Sequence, residues 1–396
     1  MSEPVRPLFF NDADEHVGAR VDTSKPTKRT TGILPYQALR EMERSGAIAA
    51  VEKITPEQIQ PASIDLRLGH QAYRVSASFL PGRNSTVMNK IRQLDGYPVD
   101  LSNGAVLEKG CVYVVQLQEA LKLAGNIVGF ANPKSSTGRL DVLTRLITDR
   151  STSFDQIDAG YSGSLFVEIA PRTFSVVVKR GSRLNQLRFQ RGSAVVPASE
   201  LTSRYEQGEL TGSPGQQNRI ENGLVPVTID LKGTGLNPLI GYRAKKNTDR
   251  IDLEKIHHYD PHDFWEPIYH HRDAELILNP DDFYILATCE EVRIPPQFAA
   301  EMVPYHTRSG EYRVHYAGFF DPGFGWDMSR GGSRAVLEVR SHEVPFVLEH
   351  GQTVGWLRYE WMAGQPDRIY GPSIGSSYQS QGLALAKQFR PFEESI

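Results

Sequence analysis

The chain has 396 residues, of which 39% are hydrophobic, so it is long enough for two or three domains that each bury a core. Its 44 basic and 47 acidic residues nearly cancel and form no long basic block, which argues against partners such as nucleic acid or a membrane surface. No run approaches the roughly 18 apolar residues of a membrane helix, and the N-terminus lacks the apolar core of a signal peptide. The two cysteines, Cys111 and Cys289, lie far apart in apolar runs, which predicts no disulfide, no cysteine-based metal site and a cytoplasmic location.

In chain order, residues 1–31 are predicted to be a polar N-terminal arm. A helix follows in "LPYQALREMERSGAIA", where Pro35 suits the start, Leu39 and Met42 share one face, and Gly46 suits the stop. The remaining sequence has short runs of Val, Ile, Leu and Tyr, broken by Gly, Pro, Asn and Asp about every ten residues. This pattern predicts a mostly-β protein with few short helices.

The same order of motifs occurs twice along the chain. "ASIDLRLG" is followed much later by "VTIDLKG", "DAGYSGSLFVE" by "DPGFGWDMSRGGSRAVLE", and "VVVKRGSRLNQLRF" by "FVLEHGQTVGWLRYE". Matching acidic residues are separated by 163 to 170 positions, and so regular an offset indicates a tandem domain duplication. We expect a first repeat at 32–200, a Gly- and Gln-rich linker at 201–222, and a second repeat at 223–396.

One cluster of cations and hydroxyls suits a phosphorylated ligand. In "NPKSSTGRLDVLTRL", Ser135 and Ser136 lie between Lys134 and Arg139, so hydroxyls and charged donors together could satisfy several phosphate oxygens. A solvated polar turn would have the same composition. Other motifs must therefore decide between the two interpretations.

Each repeat also has a Gly-containing turn followed by a strand with a single glutamate, Glu168 in "LFVEIA" and Glu338 in "AVLEV". A carboxylate in an apolar strand is costly to bury unless it is paired, so each glutamate is either at an edge or a tuned functional group. Asp158 and Asp321 in the preceding turns could simply hold backbone amides. In "VHYAGFFDPGFG" the small Ala317 and Gly318 would let a planar base approach the backbone, although hairpin tightness also explains them.

The segment "IHHYDPHDFWEPIYHHRD" at 256–273 contains five histidines. Their spacing fits no familiar metal-ligand pattern, so we expect a surface insertion rather than a metal site.

Taken in order, these motifs resemble the trimeric dUTPase and dCTP deaminase superfamily. The first helix, the following "PASIDLRLG" and the tail "SSYQSQG" resemble dCTP deaminase within it, and the duplicated layout resembles its long bacterial form. The resemblance implies a tandem duplication of a dUTPase-like β-barrel or β-clip domain. It also implies a homotrimer with sites between subunits and dCTP as the small-molecule partner.

The resemblance further implies roles for individual residues. Glu168 and Glu338 match the glutamate that activates the water attacking cytosine C4, helped by a hydroxyl such as that of Ser135. Lys134 replaces an arginine of the family's triphosphate-binding segment, which keeps the charge and loses the planar fork. The implied substrate-binding residues are Lys134, Ser136, Arg139, Arg308, Ser309, Ala317, Gly318, Asp321 and, in the closing tail, Tyr378 and Gln381.

The departures from the family pattern are divided between the repeats. The first repeat keeps the phosphate segment but has bulky Phe154 where the family hairpin has a small alanine. The second keeps Ala317 and Gly318 but retains only a partial phosphate segment at Arg308 and Ser309. We therefore expect a composite site, with the phosphates bound by the first repeat and cytosine bound by the second beside Glu338.

The sequence also bears on cofactors. Zinc-dependent base deaminases need a His/Cys/Cys site that two isolated cysteines cannot supply, so we expect a glutamate general base without zinc. Mg²⁺ is expected to arrive bound to the substrate triphosphate. Three alternatives remain open: a dUTP diphosphatase using Asp321, a bifunctional enzyme, and a non-catalytic nucleotide-binding regulator.

Overall fold

The computed structural model describes residues 29–212, 220–233, 238–303, 312–315, 318–326, 332–341, 343–371 and 382–393. These residues form a mostly-β protein with five short α-helices, which confirms the predicted fold class. None of the helices in this part of the chain has the length and apolar character needed to span a membrane.

The first repeat extends from strand β1 to strand β12. Its elements, in chain order, are β1 (Gly32–Ile33), α1 (Tyr36–Arg44), β2 (Ile48–Ala50), a 3₁₀ turn (Pro56–Gln58), β3 (Ile64–Val75), α2 (Val87–Gln93), β4 (Tyr97–Asp100), β5 (Ala105–Leu107), β6 (Val112–Lys122), β7 (Ile127–Pro133), α3 (Ser135–Gly138), β8 (Val142–Thr148), β9 (Gln156–Ile157), β10 (Ser162–Pro171), β11 (Val176–Val178) and β12 (Arg183–Arg191).

The second half of the chain continues the numbering. Its elements are α4 (Ala198–Glu206), β13 (Val225–Thr228), β14 (Leu239–Ala244), β15 (Ile251–Asp252), α5 (Pro261–Phe264), β16 (Trp265–Tyr269), β17 (Glu275–Leu278), β18 (Phe283–Val292), β19 (Phe298–Val303), β20 (Tyr312–His315), β21 (Phe319–Phe320), β22 (Ser333–Ser341), β23 (Phe346–Glu349) and β24 (Thr353–Trp361).

Helix α1 confirms the first predicted element. It begins after Pro35 and buries Leu39 and Met42 on one face. Gly46 follows its end with a φ of +75°, a left-handed conformation that favours glycine.

The strand pairing confirms the tandem architecture. In the first repeat β10 lies between β6 and β8, and β12 lies between β3 and β7. In the second repeat β22 lies between β18 and β20, and β24 lies between β13 and β19. All of these neighbours are antiparallel, so the two halves share one topology.

The two repeats pack tightly against each other. The largest core cluster contains most of the apolar residues of the first repeat together with Trp265 and Phe283 of the second and Phe389 of the C-terminal segment. Strand β15 extends the first repeat by pairing in parallel with β11. A shared core of this kind holds residues of both repeats at fixed distances.

A second core belongs mainly to the second half of the chain. Helix α4 contributes Leu201 and Tyr205 to this core, and Leu210 follows them. The segment predicted as a linker from residue 201 therefore starts inside a packed helix.

The segment at 256–273, expected to be a surface insertion, is exposed in part and buried in part. His257 and His258 are exposed, but Phe264 and Trp265 are buried in the core between the repeats. The Trp265 ring packs edge-on against Phe174 of the first repeat at a centroid distance of 5.4 Å. The burial of these aromatic residues gives the segment a structural role, to which His270 adds a 2.9 Å contact from Nδ1 to the Leu231 carbonyl.

Candidate active site

The segment predicted to bind phosphate connects β7 to β8, two strands of the first repeat that follow each other along the chain. Lys134 precedes the short helix α3, and its backbone N–H donates to the Leu184 carbonyl over 2.8 Å. The Thr137 hydroxyl donates to the same carbonyl over 3.0 Å. Ser135 is exposed and Ser136 is buried. These bonds fix the turn so that the Ser135 hydroxyl remains accessible.

The two cations of this segment already contact protein groups. Lys134 Nζ lies 2.5 Å from Asp65 Oδ2, and Arg183 lies 3.9 Å from the same oxygen. Buried Arg139 donates from Nη1 to the carbonyls of Ala384 and Leu385 over 3.1 and 3.3 Å. Arg139 thus connects α3 to the C-terminal segment at 382–393.

Glu338 of the second repeat lies beside the first repeat. It is 6% exposed and sits in the middle of β22, opposite Ile285 of β18 and His315 of β20. Burial raises the pKa of Glu338 to about 8, while the charge of Arg139 and its own backbone N–H oppose this increase and Asp141 adds to it. The glutamate of one repeat and the arginine of the other are therefore close enough for their charges to interact.

A buried ion pair anchors this part of β22 to the first repeat. Arg340, two residues after Glu338, donates from Nε to Asp141 Oδ2 over 3.1 Å, and its Nη2 contacts the same oxygen. Nη2 also donates to the Thr173 hydroxyl over 2.7 Å. Because side chains alternate along a strand, Glu338 and Arg340 face the same side. The Arg340–Asp141 pair consequently holds Glu338 against the segment that carries Arg139.

Asp321, in the turn after β21, makes a second contact between the repeats. It is 8% exposed and lies 3.6 Å from Arg188 of the first repeat. Burial raises the pKa of Asp321 to about 6; Arg188 and Lys134 oppose the increase, and Asp65 adds to it. In the same turn a Cβ at Gly325 would lie 2.1 Å from the Val292 carbonyl oxygen, so only glycine fits there.

Gly318, which immediately precedes β21, accepts a hydrogen bond from the Met302 N–H at 3.2 Å through its carbonyl. The predicted residues Arg308, Ser309, Ala317, Tyr378 and Gln381 lie outside the described residues.

The first repeat gives its glutamate a different environment. Glu168 is 1% exposed, and its Oε1 accepts from Arg145 Nε and Nη2 over 3.0 and 2.5 Å. Arg145 lies directly opposite Glu168 on β8 and is covered by the Phe154 ring, 3.8 Å from its guanidinium carbon. Phe154 thus covers the ion pair that occupies Glu168.

The residues that join the repeats were not predicted from the sequence. Arg188 is 1% exposed and donates to the carbonyls of Ala300 and Phe320 over 3.1 and 3.2 Å. Arg188 thus extends from the first repeat to the second, and Arg340 extends from the second repeat to Asp141 of the first. Both lie inside apolar strands, in "NQLRF" and "VLEVRS", so the signal that singled out the two glutamates also applied to these arginines.

One group of potential metal ligands occurs away from Glu338, formed by Asp230, Cys289 and His350. Arg334 Nη1 lies 2.5 Å from Asp230 Oδ2, and the N–H groups of Lys232 and Gly233 donate to Oδ1. This carboxylate is therefore already saturated by donors. Among the described residues, none of the histidines at 256–273 joins such a group.

The fold and site define a duplicated β protein with a buried carboxylate between its repeats and cations beside it. The sequence matches the model of the 2'-deoxycytidine 5'-triphosphate deaminase N-terminal domain at residues 30–193 and that of the C-terminal domain at 198–389. The crystal structure of 2'-deoxycytidine 5'-triphosphate deaminase from Agrobacterium tumefaciens is 52% identical, with a TM-score of 0.81 over 86% of this chain and 100% of that chain. This chain belongs to the dCTP deaminase family.

Curated relatives are more distant. A dCTP deaminase of Haloarcula marismortui is 26% identical over 205 residues, which cover 50% of this chain and 95% of the relative. A "dCTP deaminase, dUMP-forming" of Halobacterium salinarum is 34% identical over 122 residues, 29% of this chain and 57% of the relative. The Haloarcula protein is thus matched over nearly its full length by about half of this chain.

Proposed function

We propose that this protein hydrolyses dCTP to dUTP and ammonia at a composite site formed by both repeats of one chain. The single observation that carries this proposal is that buried Glu338 lies on a strand anchored to the first repeat by the Arg340–Asp141 pair, within range of the charge of Arg139. The family membership supports the substrate and the reaction. The product would supply uracil deoxynucleotides for dTTP synthesis.

In the proposed reaction Glu338 moves protons at the base. With a pKa of about 8, its carboxyl is mostly protonated at neutral pH and can donate a proton to cytosine N3. The resulting carboxylate then accepts a proton from the water whose oxygen bonds to C4. That proton passes to the exocyclic amino group, the C4–N4 bond breaks and ammonia leaves. The proton of the new C4 hydroxyl then returns to the Glu338 carboxylate as the C4 carbonyl forms. The exposed Ser135 hydroxyl can orient the water.

The phosphates would bind at the cations of the first repeat. Arg139 provides a planar guanidinium, and Ser136 provides a hydroxyl on the same turn. Lys134 would have to exchange its contact with Asp65 for a phosphate oxygen. We propose that Mg²⁺ enters as part of the Mg–dCTP substrate complex and that no zinc takes part. A homotrimer and a cytoplasmic location remain predictions, and light scattering of the purified protein tests the former.

Substituting each glutamate separately tests the assignment. Glu338→Gln should lower ammonia release from dCTP by about 10²–10⁴-fold, because it removes the group that transfers protons. Glu168→Gln is the matched control, and it should have a much smaller effect because Arg145 already occupies Glu168. Equal losses in both variants would refute the assignment of Glu338 as the single base.

The same incubation distinguishes the alternatives when dUTP, dUMP and pyrophosphate are measured alongside ammonia. Ammonia with dUTP supports the proposal, whereas dUMP and pyrophosphate would indicate a bifunctional enzyme. Pyrophosphate from added dUTP without ammonia from dCTP would indicate a diphosphatase. Binding of dCTP without any product would indicate a regulator.

A further inference from the structure

A cavity of about 260 Å³ lies between the two repeats, and its lining does not include Glu338, Ser135 or Arg139. Its first-repeat wall includes Lys109, Arg172 and Thr173, and its second-repeat wall includes residues 244–246 and 281–283 together with Arg340. The cavity thus exists only where the two repeats meet.

The lining of this cavity is cationic. Five of its ten lining residues are Lys or Arg, and two are aspartates. Asp282 is paired with Lys246 over 3.0 Å. Arg340 donates a hydrogen bond to Asp141. The positive charges therefore outnumber the negative ones in the lining of the cavity.

Two of these cations are available to a ligand. The side chains of Lys109 and Arg172 are exposed and have no hydrogen-bond or ion-pair partner among the described residues. Two exposed cations on neighbouring loops repel each other, so their proximity costs free energy without an anion between them. A surface that only needed solubility would intersperse them with carboxylates.

We propose that this cavity is a second anion site, which binds a small polyanion with one or more phosphate groups. Arg172 offers a planar fork and the lysines offer point charges, a combination that suits phosphate oxygens. The volume fits a polyphosphate chain more readily than a whole nucleotide enclosed on all sides. The proposal goes beyond the proposed function and does not depend on it.

The site lies next to the catalytic elements. Arg340 lines the cavity, bonds Asp141 and shares β22 with Glu338. An anion that attracts Arg340 would weaken its bond to Asp141. An occupied cavity should therefore alter the position of Glu338 relative to the first repeat.

Calorimetric titration with inorganic tripolyphosphate tests the proposal. The titrated protein carries Arg139→Ala, which weakens the phosphate segment already described and leaves the cavity intact. We expect binding to persist in this protein. Adding Lys109→Ala and Arg172→Ala should then weaken it by at least about tenfold, because two charge-assisted contacts are lost.

Control variants distinguish tripolyphosphate binding in the cavity from nonspecific electrostatic attraction to the protein surface. Arg92→Ala with Lys122→Ala removes the same two residue types from exposed positions outside the cavity, and tripolyphosphate binding should change less than about twofold. Lys109→Gln with Arg172→Gln repeats the test with longer side chains, and melting temperatures confirm that each variant is folded. Equal weakening in the cavity and control variants, or no binding to the Arg139→Ala protein, would overturn the proposal.

Titration with ATP in place of tripolyphosphate tests whether the cavity recognises the phosphate chain alone or also a nucleoside. Equal affinities identify the phosphate chain as the recognised part. Tighter binding of ATP that is lost in the Lys109→Ala/Arg172→Ala protein extends the recognised part to a nucleoside. Neither result bears on the proposed deamination, because these titrations measure binding and not ammonia release.

Discussion

Glu168 and Glu338 occupy the same position in two related repeats but have opposite electrostatic environments. Arg145 forms a direct ion pair with Glu168, whereas burial dominates at Glu338 and raises its pKa to about 8. The sequence predicted both glutamates as candidates because each is a lone carboxylate in an apolar strand. It did not distinguish them, because Arg145 reaches Glu168 through strand pairing that only the fold defines.

Protonation of Glu338 predicts a pH-dependent change in stability. Its pKa is 4.5 when unperturbed and about 8 in the folded protein, so the unfolded state releases this proton first as pH rises. The wild type should therefore lose stability relative to Glu338→Gln between pH 4.5 and about 8. We expect the variant to be more stable by about 1–4 kcal/mol at pH 8.5 and nearly equal at pH 4.5.

Thermal unfolding of the two proteins across this pH range checks the prediction. Glu168→Gln serves as the control, because it should destabilise the protein by leaving Arg145 without its carboxylate. A melting-temperature difference between wild type and Glu338→Gln that stays constant with pH would show that Glu338 ionises normally.

Arg139 should distinguish a nucleotide from a nucleoside. Arg139→Ala is expected to weaken dCTP binding by roughly 1.5–3 kcal/mol, because a charge-assisted contact to phosphate is lost. Deoxycytidine has no phosphate, so its affinity should change little. Calorimetry with both ligands provides the comparison, and loss of deoxycytidine binding would instead implicate the carbonyls of Ala384 and Leu385 that Arg139 holds.

At the scale of elements, β22 joins the proposed catalytic residue to the interface between the repeats. Residues 338 and 340 face the same side of this strand, and Arg340 forms its ion pair with Asp141 only two residues from Arg139. The strand itself was predictable from its apolar alternation. The Arg340–Asp141 pair was not, since it joins residues almost 200 positions apart.

Breaking this pair should destabilise the protein more than removing both partners. Arg340→Met leaves the Asp141 carboxylate buried without Arg340 and should lower the free energy of unfolding by about 3–5 kcal/mol. Combining it with Asp141→Asn removes both charges, keeps a residue type that tolerates the left-handed φ of +55° at position 141, and should recover much of that loss. Denaturant unfolding of the two single variants and the double variant measures the coupling, and simple additivity would show that the pair is not a unit.

At the scale of the whole molecule, the duplication was visible in the repeated motifs and their regular offset. Each half departs from the family pattern at a different place, so a site divided between the repeats stays a prediction. The packing of the repeats was not predictable, since Trp265 and Phe389 reach the first core from distant parts of the chain. The resemblance implied sites between subunits, and within one chain Arg139 lies close enough to Glu338 for its charge to affect the pKa of that carboxyl, so a mixing experiment must decide between the two arrangements.

The central claim is that one chain supplies both halves of the site, and mixing two inactive variants tests it most directly. Arg139→Ala and Glu338→Gln proteins, carrying different affinity tags, are refolded together, and tandem purification isolates the oligomers that contain both chains. Every chain then has one damaged half, so the account predicts that ammonia release from dCTP stays at the level of the separate variants. Substantial recovery of activity in the mixed oligomers would contradict it, because complete sites would then have formed between chains.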